Sequence, residues 1–275
     1  MQESDCDTSD LPPKLLLKGL DSLYVSFYLN RPEVNWEELG YQKERLREEA
    51  DVQFLGLQLA GEDLSLQPYG HYPYKVILSN ETFELRLAEY MQPNCYLVVR
   101  SEALWTYGLD QLEERINRLV NELSPLGRCE AETVSRADWA FDFQLSQVDF
   151  QETDFLTRAA KSAKWNEHGK TQTFQFGIGN VVVRVYDKVA EIEQKSGKAW
   201  LYEIWGTRED VWRVEFQVRG PRLKFGNIRT LEDLRTYQAD LLHELAENHT
   251  SLRTRATDTN RSRWELHPLW QSLLE

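Results

Sequence analysis

Runs of alternating apolar and polar residues dominate the second half of this chain, and a period of two commits a segment to a sheet rather than a helix. Three segments show it: Ser-Arg-Ala-Asp-Trp-Ala-Phe-Asp-Phe (135–143), Val-Val-Val-Arg-Val-Tyr-Asp-Lys (181–188) and Trp-Arg-Val-Glu-Phe-Gln-Val-Arg-Gly (212–220). Asp138 and Asp142 share parity in the first, so they point to one sheet face. Arg184 and Tyr186 share a face in the second, with Lys188 following. In the third, Arg213, Glu215, Gln217 and Arg219 line one face, and Val214, Phe216 and Val218 line the other. Neighbouring strands of this kind gather acids, bases and one tyrosine on a common polar surface.

The rest of the chain punctuates into strands and helices. Strands are expected at 20–30, 53–59, 73–78, 82–88, 95–100, 129–143, 172–178, 181–187 and 210–219, with Gly179-Asn180 as a hairpin turn. Helices are expected at 35–50, capped by Asn35, and at 109–123, where Leu109, Leu112, Ile116, Leu119, Val120 and Leu123 form one stripe. Further helices are expected around 151–164, from Lys188 to Gln194 with a stop at Ser196-Gly197, at 230–248 and at 264–274. The fold class is α+β: two related halves of antiparallel sheet with helices packed on one face. The domain reading is a flexible tail (1–13), an N-terminal half (14–127), a catalytic half (128–249), and a C-terminal basic segment with a docking helix (250–275).

Length and charge limit the function classes. The chain has 275 residues, enough for one large or two small domains, and a formal net charge of −13. An acidic body disfavours general nucleic-acid binding, so any DNA surface must be a local basic patch. Cys6, Cys95 and Cys129 are widely spaced, and His71, His168, His243, His249 and His267 are scattered, so neither a zinc site nor a disulfide framework is indicated. Without a signal peptide or a membrane-length apolar run, the expectation is a cytoplasmic protein with no membrane partner.

Asp138, Asp142 and Glu215 are carboxylates on strands that sit together if the sheet forms, and such oxygens suit a hard divalent cation. An ion-pair network, with Asp138 on Arg136 or Arg213, fits the same residues. Tyr186 is a candidate nucleophile, flanked at two residues by Arg184 and Lys188, which would stabilise a phosphate. A half-buried strand tyrosine is the plainer account of it. Basic stretches at 158–170, 219–229 and 253–263 suit either phosphate contact or a solvated loop.

Together the three segments resemble the replication initiation factor family of plasmids, phages and integrative elements, the rolling-circle initiators of the trans-acting Rep type and their relaxase relatives. The resemblance rests on Arg136-Ala137-Asp138-Trp139-Ala140-Phe141-Asp142, on Arg184-Val185-Tyr186-Asp187-Lys188 with Glu191 beyond, and on Arg213-Val214-Glu215 with Arg219-Gly220. It covers about residues 130–225. It implies a DNA nickase in which Tyr186 attacks and stays linked to the 5′-phosphate, aided by Arg184 and Lys188. It also implies Mg²⁺ or Mn²⁺ held by Asp138, Asp142 and Glu215. DNA contacts fall to Arg136, Arg213, Arg219, Arg222 and Lys224. The implied partners are origin DNA, single-stranded or cruciform, a host helicase and a second copy of the chain. Two departures stand out: the acidic charge, and the lack of a recognisable helix-turn-helix module before the core. A non-catalytic DNA-binding or regulatory protein on the same fold, or an acidic protein-interaction module, are the rival readings.

Overall fold

The computed structural model describes residues 12–48, 55–167 and 170–275. The chain runs β1 (Lys14–Phe27), α1 (Trp36–Glu48), β2 (Gly56–Leu59), β3 (Glu62–Leu66), β4 (Val76–Ser79), β5 (Phe83–Leu87), β6 (Cys95–Val99), α2 (Ser101–Leu123) and β7 (Thr133–Gln144). It continues through β8 (Phe155–Thr157), β9 (Ser162–Glu167), β10 (Lys170–Phe176), β11 (Val181–Asp187), α3 (Lys188–Glu191), α4 (Leu201–Trp205) and β12 (Val211–Arg219). It closes with α5 (Gly220–Phe225), α6 (Leu231–Glu244), β13 (Thr250–Leu252) and α7 (Pro268–Leu274). The class is α+β, and every paired strand whose register is defined is antiparallel.

The chain divides into two compact units. One comprises Leu20–Ala137 and Leu223–Thr236; the other comprises Asp138–Arg222, Tyr237–Glu275 and the chain up to Gly19.

The first unit carries the meander β2-β3-β4-β5-β6, followed by β1 and the start of β7. Alternation decides which side chains are sealed: Leu23, Val25 and Phe27 of β1, Phe83, Leu85 and Leu87 of β5, and Leu97 and Val99 of β6 are all buried. The stripe on α2 buries Leu112, Ile116, Leu119, Val120 and Leu123 against this layer. Asn35 caps α1 as expected, its Oδ1 accepting the Glu38 amide at 3.0 Å. Helix α2 starts earlier than its stripe suggests and is broken at Gly108, whose φ of 73° and ψ of 165° are non-helical. The β2–β3 hairpin was not expected from sequence. Its turn residues, Ala60 and Gly61, both have positive φ, and Ala-Gly is a weak signal for such a turn.

The second unit carries the sheet order β7-β12-β11-β10-β9 and a small β8-β13 pair. Its apolar face is built largely from rings: Phe155 and Phe176 lie 4.6 Å apart between centroids, and Phe150, Phe174, Trp212, Phe216 and Trp270 join them. Such pairs add about 0.5–1.5 kcal/mol each beyond area burial. Trp139 of β7 donates to Gln238 of α6, and Phe216 of β12 meets Trp270 of α7, so both helices cover this face. The short helix α4 stands at the opposite, polar face, where Trp205 reaches Asp142.

The structure departs from one expectation. Residues 151–164 are not a helix but a 3-10 turn, β8 and the start of β9. Asp154 is held by Arg255, and Phe155 and Thr157 pair with Leu252 and Thr250, so tertiary partners outcompete local helix formation. The C-terminal basic segment is in part structural. Thr250, Ser251 and Leu252 are a buried strand, Arg253 donates to the Trp264 carbonyl, and Arg261 donates to the carbonyl of Thr153. The tail expected at 1–13 and the strand start at 53–54 lie outside the described residues, except for residues 12 and 13.

Candidate active site

Strand register assembles the site. On β11 and β12, Arg184 is opposite Glu215 and Tyr186 is opposite Arg213; on β10, Gln175 is opposite Arg184 and Thr173 is opposite Tyr186. With alternating side chains, these residues stand on one face. Glu215 reaches diagonally to the phenol, as cross-strand neighbours do. Tyr186 Oη donates to Glu215 Oε2 at 2.9 Å, and Arg184 Nη1 donates to Glu215 Oε1 at 2.7 Å. Arg184 Nε donates to Gln175 Oε1 at 3.0 Å, which fixes the guanidinium in the sheet plane's polar layer. A cavity of about 680 Å³ opens over these groups, lined also by Trp165, Asn166, Gln172, Thr173, Glu191, Gln194 and Lys195. Tyr186 is only 8 % exposed, its ring covered and its hydroxyl on the cavity side.

A buried ionic layer lies beside the tyrosine. Arg213 is 0 % exposed and binds Asp142 through two hydrogen bonds, 2.6 and 2.8 Å, while Trp205 Nε1 donates to Asp142 Oδ2 at 3.0 Å. Lys188, 2 % exposed, has its ammonium 5.7 Å from the Tyr186 ring centroid and is paired with Glu191. Burial holds the Lys188 ammonium below its ordinary range, and the Arg213 charge adds to this; Glu191 opposes both. The Asp187 side chain caps α3 by accepting the Ala190 amide at 3.0 Å, which turns the chain so that Lys188 points back at β11.

The residues expected to hold a metal ion do not gather into one centre. Both Asp142 oxygens are committed to Arg213 and Trp205, and both Glu215 oxygens are committed to Arg184 and Tyr186. Asp138 is buried, four residues before Asp142 on β7. Among the described residues no group of three or more His, Cys, Asp or Glu side chains is placed to hold a cation. The carboxylates that do line the cavity are Glu191 and Glu215.

The residues expected to meet DNA are spread out. Arg213 is sealed inside the sheet with Asp142, so its guanidinium faces protein and not solvent. Arg219 is exposed at the end of β12, and Arg222 is paired with Glu244. Arg136 and Lys224 belong to the other unit, where the Arg136 guanidinium stacks 4.8 Å from the Tyr24 ring centroid. Gln175 and Trp165 were not singled out from sequence, and Glu191 entered only as the acid beyond the Arg184–Lys188 segment, with no role given to it. Trp165 falls one residue beyond the segment expected to be helical, 151–164, which took in Ala163 and so hid the period-two alternation of the two.

The strands carrying Asp138, Tyr186 and Glu215 are neighbours in the order β7-β12-β11, as their alternation suggested. The class this defines is an α+β protein with an arginine-flanked tyrosine on the polar face of an antiparallel sheet. Among solved structures the chain is similar to the rolling circle replication initiator protein from Geobacillus stearothermophilus, with a TM-score of 0.56, 19 % identity and 94 % of each chain covered. That likeness shows a shared fold. No family model and no curated protein matches the sequence.

Proposed function

We propose that this chain nicks one DNA strand through Tyr186 and so initiates rolling-circle replication or transfer of a plasmid, phage or integrative element. The observation that carries the reading is the Tyr186–Glu215 hydrogen bond beside Arg184, under an open cavity, on a fold shared with a rolling circle initiator. In this reading Glu215 takes the phenol proton as Tyr186 Oη attacks phosphorus. The bond from phosphorus to the 3′-oxygen breaks, and that oxygen leaves with the electron pair and takes a proton from solvent. The product is a 5′-phosphotyrosine and a free 3′-hydroxyl that primes synthesis. Arg184 balances the charge that builds on the phosphoryl oxygens, and the phosphotyrosine keeps the bond energy for rejoining.

The proposed reaction depends on Mg²⁺ or Mn²⁺; Asp142 is not available to such an ion while Arg213 holds it, and the carboxylates at the cavity are Glu191 and Glu215. Origin DNA, a host helicase and a second copy of the chain are the proposed partners, and the cytoplasm the proposed location. Among the described residues no helix is long and apolar enough to cross a membrane.

The test is adduct formation. The protein is incubated with single-stranded and supercoiled DNA plus Mn²⁺ and resolved on a denaturing gel. A covalent adduct that is lost in Tyr186→Phe and reduced by chelation supports the reading. DNA binding without any adduct would favour the second reading, a non-catalytic DNA-binding protein, in which the low exposure of Tyr186 reflects a structural phenol.

A further inference from the structure

The cavity over Tyr186 has two halves of different chemistry. Around the phenol stand the charged Arg184, Glu191, Lys195 and Glu215, with the neutral Gln175 and Gln194 among them; toward β9 the described lining is Trp165, Asn166, Gln172 and Thr173, all neutral. The neutral half is built by register. Trp165 is opposite Thr173, and Thr173 is opposite Tyr186, so indole and phenol project from one face two strands apart. Two strand spacings are about 10 Å.

Two features of this half point to a ligand. Trp165 is 49 % exposed, with its indole on the cavity wall. The β9–β10 register also shifts between Thr171 and Thr173, leaving Gln172 as an extra residue. Consecutive strand residues face opposite sides, yet Gln172 and Thr173 both line the cavity. A bulge is the device that re-aims a side chain in this way. The side chains of Asn166 and Gln172 make no hydrogen bond among the described residues, so their donors and acceptors are open to a ligand. The nearest strand cation on β9, Lys164, lies over the Phe174 ring at 5.9 Å, and Phe174 belongs to the apolar face.

We propose that the neutral half is a nucleobase pocket, in which one unpaired base next to the cleaved phosphate stacks on Trp165 while Asn166 and Gln172 read its edge. The inference rests on the nicking reading for what lies beside it, since the phosphate is placed over Tyr186. A sugar-phosphate group would call for cations, and among the described residues none lines this half. A flat ring with amide-like edges fits an exposed indole and two carboxamides. A base in a duplex has its pairing edge occupied and its faces stacked, so the pocket selects single-stranded or extruded DNA.

The experiment measures binding in the Tyr186→Phe background, so that cleavage does not interfere. Fluorescence anisotropy is recorded with a labelled oligothymidine and with an abasic oligomer of equal length. Trp165→Ala is expected to weaken oligothymidine binding on the order of tenfold, with Trp165→Phe retaining most of it. The abasic oligomer is expected to bind more weakly and to be indifferent to Trp165→Ala. An unchanged melting temperature in Trp165→Ala excludes a folding defect. Unchanged oligothymidine affinity, an equal loss on the abasic oligomer, or no single-strand binding overturns the pocket. Adduct formation by the wild type without base dependence would remove the pocket and leave Tyr186 as nucleophile. Base-dependent binding without adduct would do the reverse.

Discussion

Asp142 and Arg213 were expected to meet a cation and DNA respectively, and each has the other instead. Both are fully enclosed, and the pair is bidentate in geometry. Removing one member leaves a buried charge without its partner, which costs about 3–5 kcal/mol. Arg213→Met is therefore expected to lower unfolding free energy by about that amount in a denaturant titration. The double variant Asp142→Leu/Arg213→Met should be less destabilised than either single one. If Asp142→Asn instead left stability unchanged and altered metal affinity, the ion-pair assignment would be wrong. Cys95 provides a pH-dependent test. Burial pushes its thiol from 9.0 up to about 12. The unfolded chain thus loses the proton first, so stability contributed by the neutral thiol is complete below pH 9.0 and is lost as pH rises toward about 12. Cys95→Ala should flatten that alkaline decline in a series of denaturation curves.

At the scale of elements, helix α2 shows how backbone and side-chain signals diverge. Its apolar stripe from Leu112 to Leu123 is regular, but its start at Ser101 is joined across Gly108. A Cβ at Gly108 would meet no atom within 4 Å, so the cost of replacing it is backbone strain alone. Gly108→Ala is expected to destabilise by about 1–3 kcal/mol, read from the denaturant midpoint at constant slope. A change below a few tenths would mean the break relaxes into continuous helix. Strands β11 and β12 sit where their alternation placed them, because both faces have a defined environment and a one-residue slip would reverse every side chain. Strand β9 escaped notice because Ala163 and Trp165 carry its pattern in only six residues, beside Lys164 and Asn166, which suit many structures.

For the whole molecule, the charge of −13 sets the conditions under which DNA binds. Among the described residues the cations at the cavity are the exposed Lys195 and the partly buried Arg184, and the exposed Arg219 lies further along β12. Single-strand affinity should fall with salt at a slope of about −0.7 per phosphate contact, so a slope near −2 is expected. Lys195→Ala should reduce that slope by about one contact, measured as log affinity against log salt. A slope unaffected by Lys195→Ala would place the phosphate elsewhere. The same acidity keeps non-specific association low, which leaves an unpaired base and a positioned phosphate as the means of selection.

The sequence by itself determined that the second half forms strands with one polar and one apolar face, and that Arg184, Tyr186 and Glu215 belong to the polar one. It did so because a period of two is local and survives any tertiary arrangement. The α+β class and the Asn35 cap were legible for the same reason. Only the tertiary structure decided which charged groups neutralise one another. Arg213 and Glu215 have the same parity and are both charged, yet one is sealed on Asp142 and the other faces the cavity beside Tyr186. Burial of that kind depends on what packs above the strand, here Trp205 from a helix of five residues that no periodicity announces. The neutral half of the cavity was equally a tertiary outcome, because a bulge and two strand registers bring Trp165 into line with Tyr186.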